Sequence, residues 1–419
     1  MSGRGLSVRV VGINYAPEHT GIAPYTTEAA TALHRRGHDV SVVTGFPHYP
    51  SWRVDPRYGG RELREVMHGV AVHRLRHHVP ARSSVGGRLR MEAGFGSAAI
   101  RALERPVDVT IAVSPALVST AMVLAAQRLR ARRTPVGVWV QDLYGAGARE
   151  TGLAGSTATA MTASLERRVL RSADAIAVVH DRFRTEMVDA YAIDPSRVTS
   201  IPNWTHITPS SSETRDDVRA RWGWRPDDLV LLHAGNMGVK QHLDNLVSAA
   251  REIDSRGMRI RIVLVGDGNQ RRRLQHDALD VRSLDIVDPV SEQDFPQMLG
   301  AADILVVNEK PGVRSMSVPS KLTSYFASGR PVLAAVDPEG VTAREMAASG
   351  AGRCIPSGDP QAVIDAALRL AADDVAAARM GERGLSYSRT HLDRESGLTA
   401  FEDWVRATAE RGVRRASWR

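Results

Sequence analysis

The feature that most limits how this chain can fold is a rhythm. Short runs rich in β-branched residues alternate with longer amphipathic stretches, and the series occurs twice, on either side of a break between Asn203 and Asp227. A run, a helix-length stretch and another run make a βα unit, and repeated βα units build a parallel sheet covered by helices. The first series predicts strands at Val8–Ile13, Asp39–Thr44, Val70–Leu75, Val107–Val113, Val136–Val140, Ala175–Val179 and Val198–Ile201. The second predicts Leu229–Ala234, Ile260–Val265, Leu284–Val287, Ile304–Val307 and Pro331–Val336. The break holds Pro209, the run Ser210–Ser212 and Pro226, the punctuation of a domain boundary.

The expected fold class is α/β, with two Rossmann-like doubly wound domains. Such domains take ligands beyond the carboxyl ends of their strands, so two facing each other would share one cleft. The first is expected over residues 1–204 and the second over 205–390, with a helix at about 391–412 that could cross back to the first. The basic tail Arg411–Arg419 is expected to be solvated.

A hydrophobic content of 43% with 24% charged residues suits two sizeable cores. The single cysteine, Cys354, excludes an internal disulfide, fits a reducing cytoplasm and is expected to be buried. The apolar run Val8–Ile13 is too short for a signal segment, and Val109–Gln127 is broken by Ser114, Pro115, Ser119 and Thr120, so no transmembrane span is predicted. A net charge of +8 permits attraction to phosphates, anionic lipid or nucleic acid without choosing among them. Basic residue usage is more telling. Of 55 lysines and arginines only Lys240, Lys310 and Lys321 are lysine, so each marks a place where a compact ammonium could be needed.

Two of these lysines sit in segments suited to a diphosphate. Leu232–Gln241 runs from a strand through Gly235, Asn236 and Gly238 to Lys240, offering close backbone amides and a point charge. Ser317–Leu322 opens a helix with Pro319 at its first turn, Ser320 able to donate to a phosphate oxygen, and Lys321. Lys310 lies in the loop before it and reads as an exposed lysine, with reach to the cleft as the alternative. In the first half, Val10–Ile22 is a strand leading through Gly21 to a helix start, a second place where an anion can meet free amides. Its spacing is not GxGxxG, which disfavours a dinucleotide site. Val265–Gly268 could bring Asp267 and Gly268 beside a nucleotide, and Trp139–Leu143 presents Asp142 at a strand end, where it reads equally as a helix cap. With no D-x-D, HExxH or CxxC, no metal and no cofactor are expected.

These segments together resemble the family 4 GT-B glycosyltransferases, and within them the subgroup of colanic acid and other exopolysaccharide biosynthesis. The matches run in order through Asn14–Ile22, Arg36–Val40, Tyr49–Trp52, Val140–Leu143, Asn203–Trp204, Gly235–Gln241, Val265–Gly268, Pro319–Lys321 and Ala327–Val332. The resemblance implies a retaining, metal-independent transfer of a sugar from a nucleotide diphosphate, UDP first, to a hydroxyl of a glycan, lipid-linked or small-molecule acceptor. It implies that Lys240 and Lys321 neutralise the leaving diphosphate and that Gly21 sits against the donor. Glu18 and Asp142 are the carboxylates to orient acceptor and donor, and no nucleic acid partner is expected. Three positions depart from the family: its fifth-strand histidine is Gln141 here, the arginine of its Gly-Arg-x-x-x-x-Lys motif is Asn236, and its paired glutamates fall on Met316 and Ser324. A sugar-nucleotide epimerase of the same architecture and a non-catalytic nucleotide-sugar-binding scaffold are the competing readings. The stretch Arg82–Arg105 reads either as a helix facing the core or as a basic amphipathic face holding the protein at the inner membrane surface.

Overall fold

The computed structural model describes residues 5–19, 21–80, 84–103, 105–130, 133–144, 156–207, 213–314 and 320–416. By contact the chain divides into two compact units. One comprises Met1–Asn203 with Glu395–Arg419, the other Trp204–Arg314 with Pro319–Arg394.

In the first unit, β1 (Ser7–Val11), β2 (Asp39–Gly45), β3 (Glu62–Met67), β4 (Val70–Leu75), β5 (Val109–Ser114), β6 (Val136–Val140), β7 (Ala175–Val178) and β8 (Val198–Ser200) form one sheet. Its order is β3-β4-β2-β1-β5-β6-β7-β8. All neighbours are parallel except β3 and β4. Strands buried on both faces read as apolar runs, as in β5, β6 and β7. That is why these were visible in the sequence. β3 was not anticipated: Glu-Leu-Arg-Glu-Val-Met is a polar edge strand, largely exposed, whose side chains carry no core pattern. Its signal lay in the turn instead. His68 and Gly69 both have positive φ, 51° and 84°, the backbone a two-residue hairpin needs.

The final helix, Arg394–Ala416, packs in this unit. Leu398, Phe401, Trp404 and Val405 are buried along one face, and Phe401 lies 4.6 Å from the Trp139 ring. Gly137 of β6 leaves room for Trp404, since a Cβ there would sit 2.9 Å from the indole. Arg36 pairs with Glu395 and Glu402, and His38 with Glu402, at 3.0 to 3.1 Å. The helix Val85–Ala102 turns Met91, Phe95 and Ala99 into the core, while Leu89 and Arg90 are exposed.

The second unit has the sheet β11-β10-β9-β12-β13-β14, parallel throughout. Its strands are β9 (Leu229–Ala234), β10 (Ile260–Val265), β11 (Leu284–Val287), β12 (Ile304–Asn308), β13 (Val332–Ala335) and β14 (Gly352–Ile355). β14 is a further edge strand missing from the predicted set. It corrects the expectation for Cys354, which lies on this edge with its side chain exposed rather than buried. Within the boundary segment, Arg215–Arg221 is helical because Thr214 and Asp217 close a capping box. Pro209 and Ser210–Ser212 lie outside the described residues. Among the described residues no helix is long and apolar enough to cross a membrane.

In each sheet the first strand of the unit is where the order reverses, β1 between β2 and β5, and β9 between β10 and β12. The loops following β1 and β9 therefore sit where open α/β sheets accept ligands.

Candidate functional site

In the second unit the backbone converges on the end of β9. Gly235 has φ 131° and donates its N–H to the Val265 carbonyl. Gly266 and Gly268 also have positive φ, and a Cβ on Gly266 would lie 2.0 Å from the Gly235 carbonyl oxygen. A Cβ on Gly268 would meet the Met237 carbonyl oxygen at 2.5 Å and Asn236 Oδ1 at 2.6 Å. Only glycine permits two chain segments to approach so closely. The Met237 N–H donates to the Asp267 carbonyl at 2.8 Å, and Asp267 Oδ1 accepts from the Gly268 N–H at 2.7 Å. Gly238 caps the turn Val239–Gln241, its N–H donating to Gln241 Oε1. Gly235, Asn236, Gly238, Asp267 and Gly268 thus form one knot of backbone.

Lys321 lies over this knot. It opens the helix Lys321–Ala327, and its Nζ is 3.7 Å from where a Gly235 Cβ would stand. Ser320 directly precedes it, with its carbonyl accepting from Thr323. Ser317–Pro319, and Met316 of the family's glutamate pair, lie outside the described residues; Ser324 is buried. Burial pushes the Lys321 ammonium down to about 7, with Lys240 adding to the fall and the Glu309 carboxylate opposing it. The three lysines gather here, for the Lys310 N–H also donates to the Lys240 carbonyl at 2.8 Å. Lys310 is therefore tied by its backbone to the Lys240 turn and is half-buried there rather than exposed.

Four residues of this site were not singled out in the sequence. His233, fully buried on β9, directs Nδ1 to the Val306 carbonyl at 3.1 Å and Nε2 to Lys321 Nζ at 2.9 Å. Tyr325 receives the Ala234 N–H on its hydroxyl at 2.8 Å. Buried Glu309 accepts from Thr342 at 2.9 Å. Asn308 donates to the carbonyls of Gln241 and His242, both at 2.9 Å, and so holds the Lys240 turn. A polar residue inside an apolar strand, as in Leu-Val-Leu-Leu-His-Ala, was the available signal for His233.

In the first unit the candidates gather around Tyr49. A Cβ on Gly21, whose φ is 66°, would be 3.3 Å from the Tyr49 ring. Glu18 is buried, and Oε1 accepts from the His48 and Tyr49 N–H groups at 2.7 and 2.8 Å, while Oε2 accepts from Asn14 at 2.8 Å. Both carboxylate oxygens are thus occupied inside the loop, which makes Glu18 a positioning group there. Burial raises the Tyr49 hydroxyl to about 12, helped by the charges of Asp142 and then Glu18. Asp142 is therefore near Tyr49. Gln141, at the family's histidine position, is buried and accepts from Asn203 at 2.9 Å.

Residues 20–204 match the glycosyl transferase 4-like domain, and residues 228–373 match the glycosyl transferases group 1 domain. The chain belongs to the GT-B glycosyltransferases. Among relatives of this glycosyltransferase is Escherichia coli K12 WcaI, named as a colanic acid biosynthesis glycosyl transferase. It is 28% identical over 335 residues, covering 77% of this chain and 82% of WcaI. The fold is that of sucrose-phosphate synthase from Thermosynechococcus elongatus, with a TM-score of 0.75 at 16% identity, covering 96% and 98% of the two chains. Anabaena HepE, solved in complex with UDP-glucose, matches with a TM-score of 0.70 at 14% identity over 96% of this chain and 100% of that one.

Proposed function

We propose that this glycosyltransferase transfers a sugar from a nucleoside diphosphate, UDP by preference, to a hydroxyl acceptor in glycan assembly, with retention and without a metal. The observation that carries this is the Lys321 ammonium standing over Gly235 beside the Lys240 turn. Positive charge and oriented amides preorganised around a diphosphate favour the charge that develops there as the sugar leaves. The bond from the anomeric carbon to the phosphate oxygen breaks as the acceptor oxygen bonds to the same face. The acceptor proton passes to the departing phosphate. Asp142 in this scheme orients the donor hydroxyls, and Glu18 holds the loop against which the acceptor lies. The UDP-glucose complex of HepE and the colanic acid assignment of WcaI support this choice of donor and product class.

The test is turnover of UDP-sugars with and without acceptor. Lys240→Ala should slow transfer by about 10² or more, and an unchanged rate removes Lys240 from the site. Transfer should persist in EDTA. Release of UDP with sugar epimerised and no acceptor consumed would favour the epimerase reading. No thermal shift with any nucleoside diphosphate would sink the donor assignment, because a bound ligand raises stability by mass action.

A further inference from the structure

His233 has no part in the scheme above, yet it is the direct partner of the lysine that scheme depends on. It sits inside β9, fully buried, with one ring nitrogen on the Val306 carbonyl and the other 2.9 Å from Lys321 Nζ. A carbonyl can only accept, so Nδ1 carries the proton and Nε2 is left with a lone pair. Lys321 must then donate to it. The imidazole is held neutral, its proton affinity lowered well below the ordinary value by burial and then by the Lys321 charge, against the opposing pull of the Val306 and Asn236 backbone. The groups facing this pair are the Val306 carbonyl and the Asn236 backbone against His233, and Glu309 and Lys240 against Lys321.

We propose that His233 is a positioning residue that, as a fixed neutral acceptor, aims the Lys321 ammonium over Gly235 toward the diphosphate of the donor. The proposal rests on the donor assignment above. An amine with three rotatable donors on a flexible stem gains direction from one anchored hydrogen bond, which leaves the remaining N–H groups pointing at the ligand. An apolar residue at 233 would fill the space and leave the ammonium unaimed. Glutamine would keep an acceptor near the Nε2 position without titrating.

The experiment compares the parent with His233→Leu and His233→Gln. UDP affinity is measured by calorimetry, and lysine titration by NMR with 13Cε-lysine, where three lysines mean at most three signals. His233→Leu should weaken UDP binding about tenfold or more, the scale of a lost hydrogen bond to a charged group. It should also lower the titration midpoint of the signal that disappears in Lys321→Arg. His233→Gln should restore both. UDP binding and a Lys321 midpoint unchanged in a folded His233→Leu would overturn the proposal, as would His233→Gln behaving like His233→Leu while melting at the parental temperature. If the parent itself binds no nucleoside diphosphate, the donor assignment fails, whereas the lysine titration still reports on the His233 contact by itself.

Discussion

Two loops occupy equivalent places in the two units, one after β1 and one after β9, and they use polar groups in opposite ways. In the first, Glu18 turns its carboxylate inward and binds the amides of His48 and Tyr49, so the loop is closed upon itself. In the second, Gly235, Gly266 and Gly268 bring the backbone together without side chains, and Lys321 crosses the top. A buried anion satisfied by amides stabilises its loop, whereas a desolvated ammonium costs free energy that an anionic ligand would offset. In the proposed scheme the first loop is a scaffold and the second receives the diphosphate.

The strongest way to break this contrast is Glu18→Ala. It strands two buried amides, each a loss of about 1 to 3 kcal/mol, so about 4 kcal/mol of stability should go. Denaturant unfolding measures this. UDP affinity of the folded fraction should stay at the parental value, and a specific loss of affinity would mean that the first loop too is a receptor.

Acid should act next most strongly, through His77 beside the same loop. Its ring lies 4.8 Å from that of His48. Burial, then the His48 charge, lowers its pKa to about 4, with the Leu75 carbonyl opposing and His78 adding. The unfolded chain takes up this proton near 6.5 and the folded chain only near 4. Stability from this residue is therefore complete above 6.5 and falls as pH drops from 6.5 to 4, by up to about 3 kcal/mol. His77→Gln should flatten that part of a stability profile, and a profile unchanged by the substitution would show that His77 does not carry it.

Gly235→Ala probes the second loop, with a smaller effect. Its φ of 131° is unfavourable for alanine, and the new methyl would lie 3.6 Å from Lys321 Cε, within contact distance. A loss of about 2 kcal/mol in stability is expected, together with weaker UDP binding as the strained backbone shifts the amides of the loop. Thermal melts with and without UDP separate the two, and a ligand-induced shift equal to the parental one would show that the backbone approach at Gly235 does not serve the ligand.

How much of this was legible beforehand differs by element. Strands buried on both faces, such as Val109–Ser114 and Ile260–Val265, announce themselves as apolar runs. The edge strands Glu62–Met67 and Gly352–Ile355 do not, because one side of the backbone and most side chains meet water, which asks little of the sequence. For the same reason Cys354 looked like a core residue and is a surface one.

Residue type and spacing were enough to reveal the two βα series, the glycines where chain segments must touch, and the retention of lysine at 240, 310 and 321 in a chain otherwise basic through arginine. These are local demands of backbone and charge, and they are written in residue type and spacing. The folded arrangement alone encloses Glu18 in amides of residues about thirty positions away and brings Lys321 to His233 across 88 residues. Partnership of that kind depends on which strands lie side by side. A carboxylate or an imidazole carries no mark in the sequence of whether its neighbour in space will be water, an amide or an ammonium.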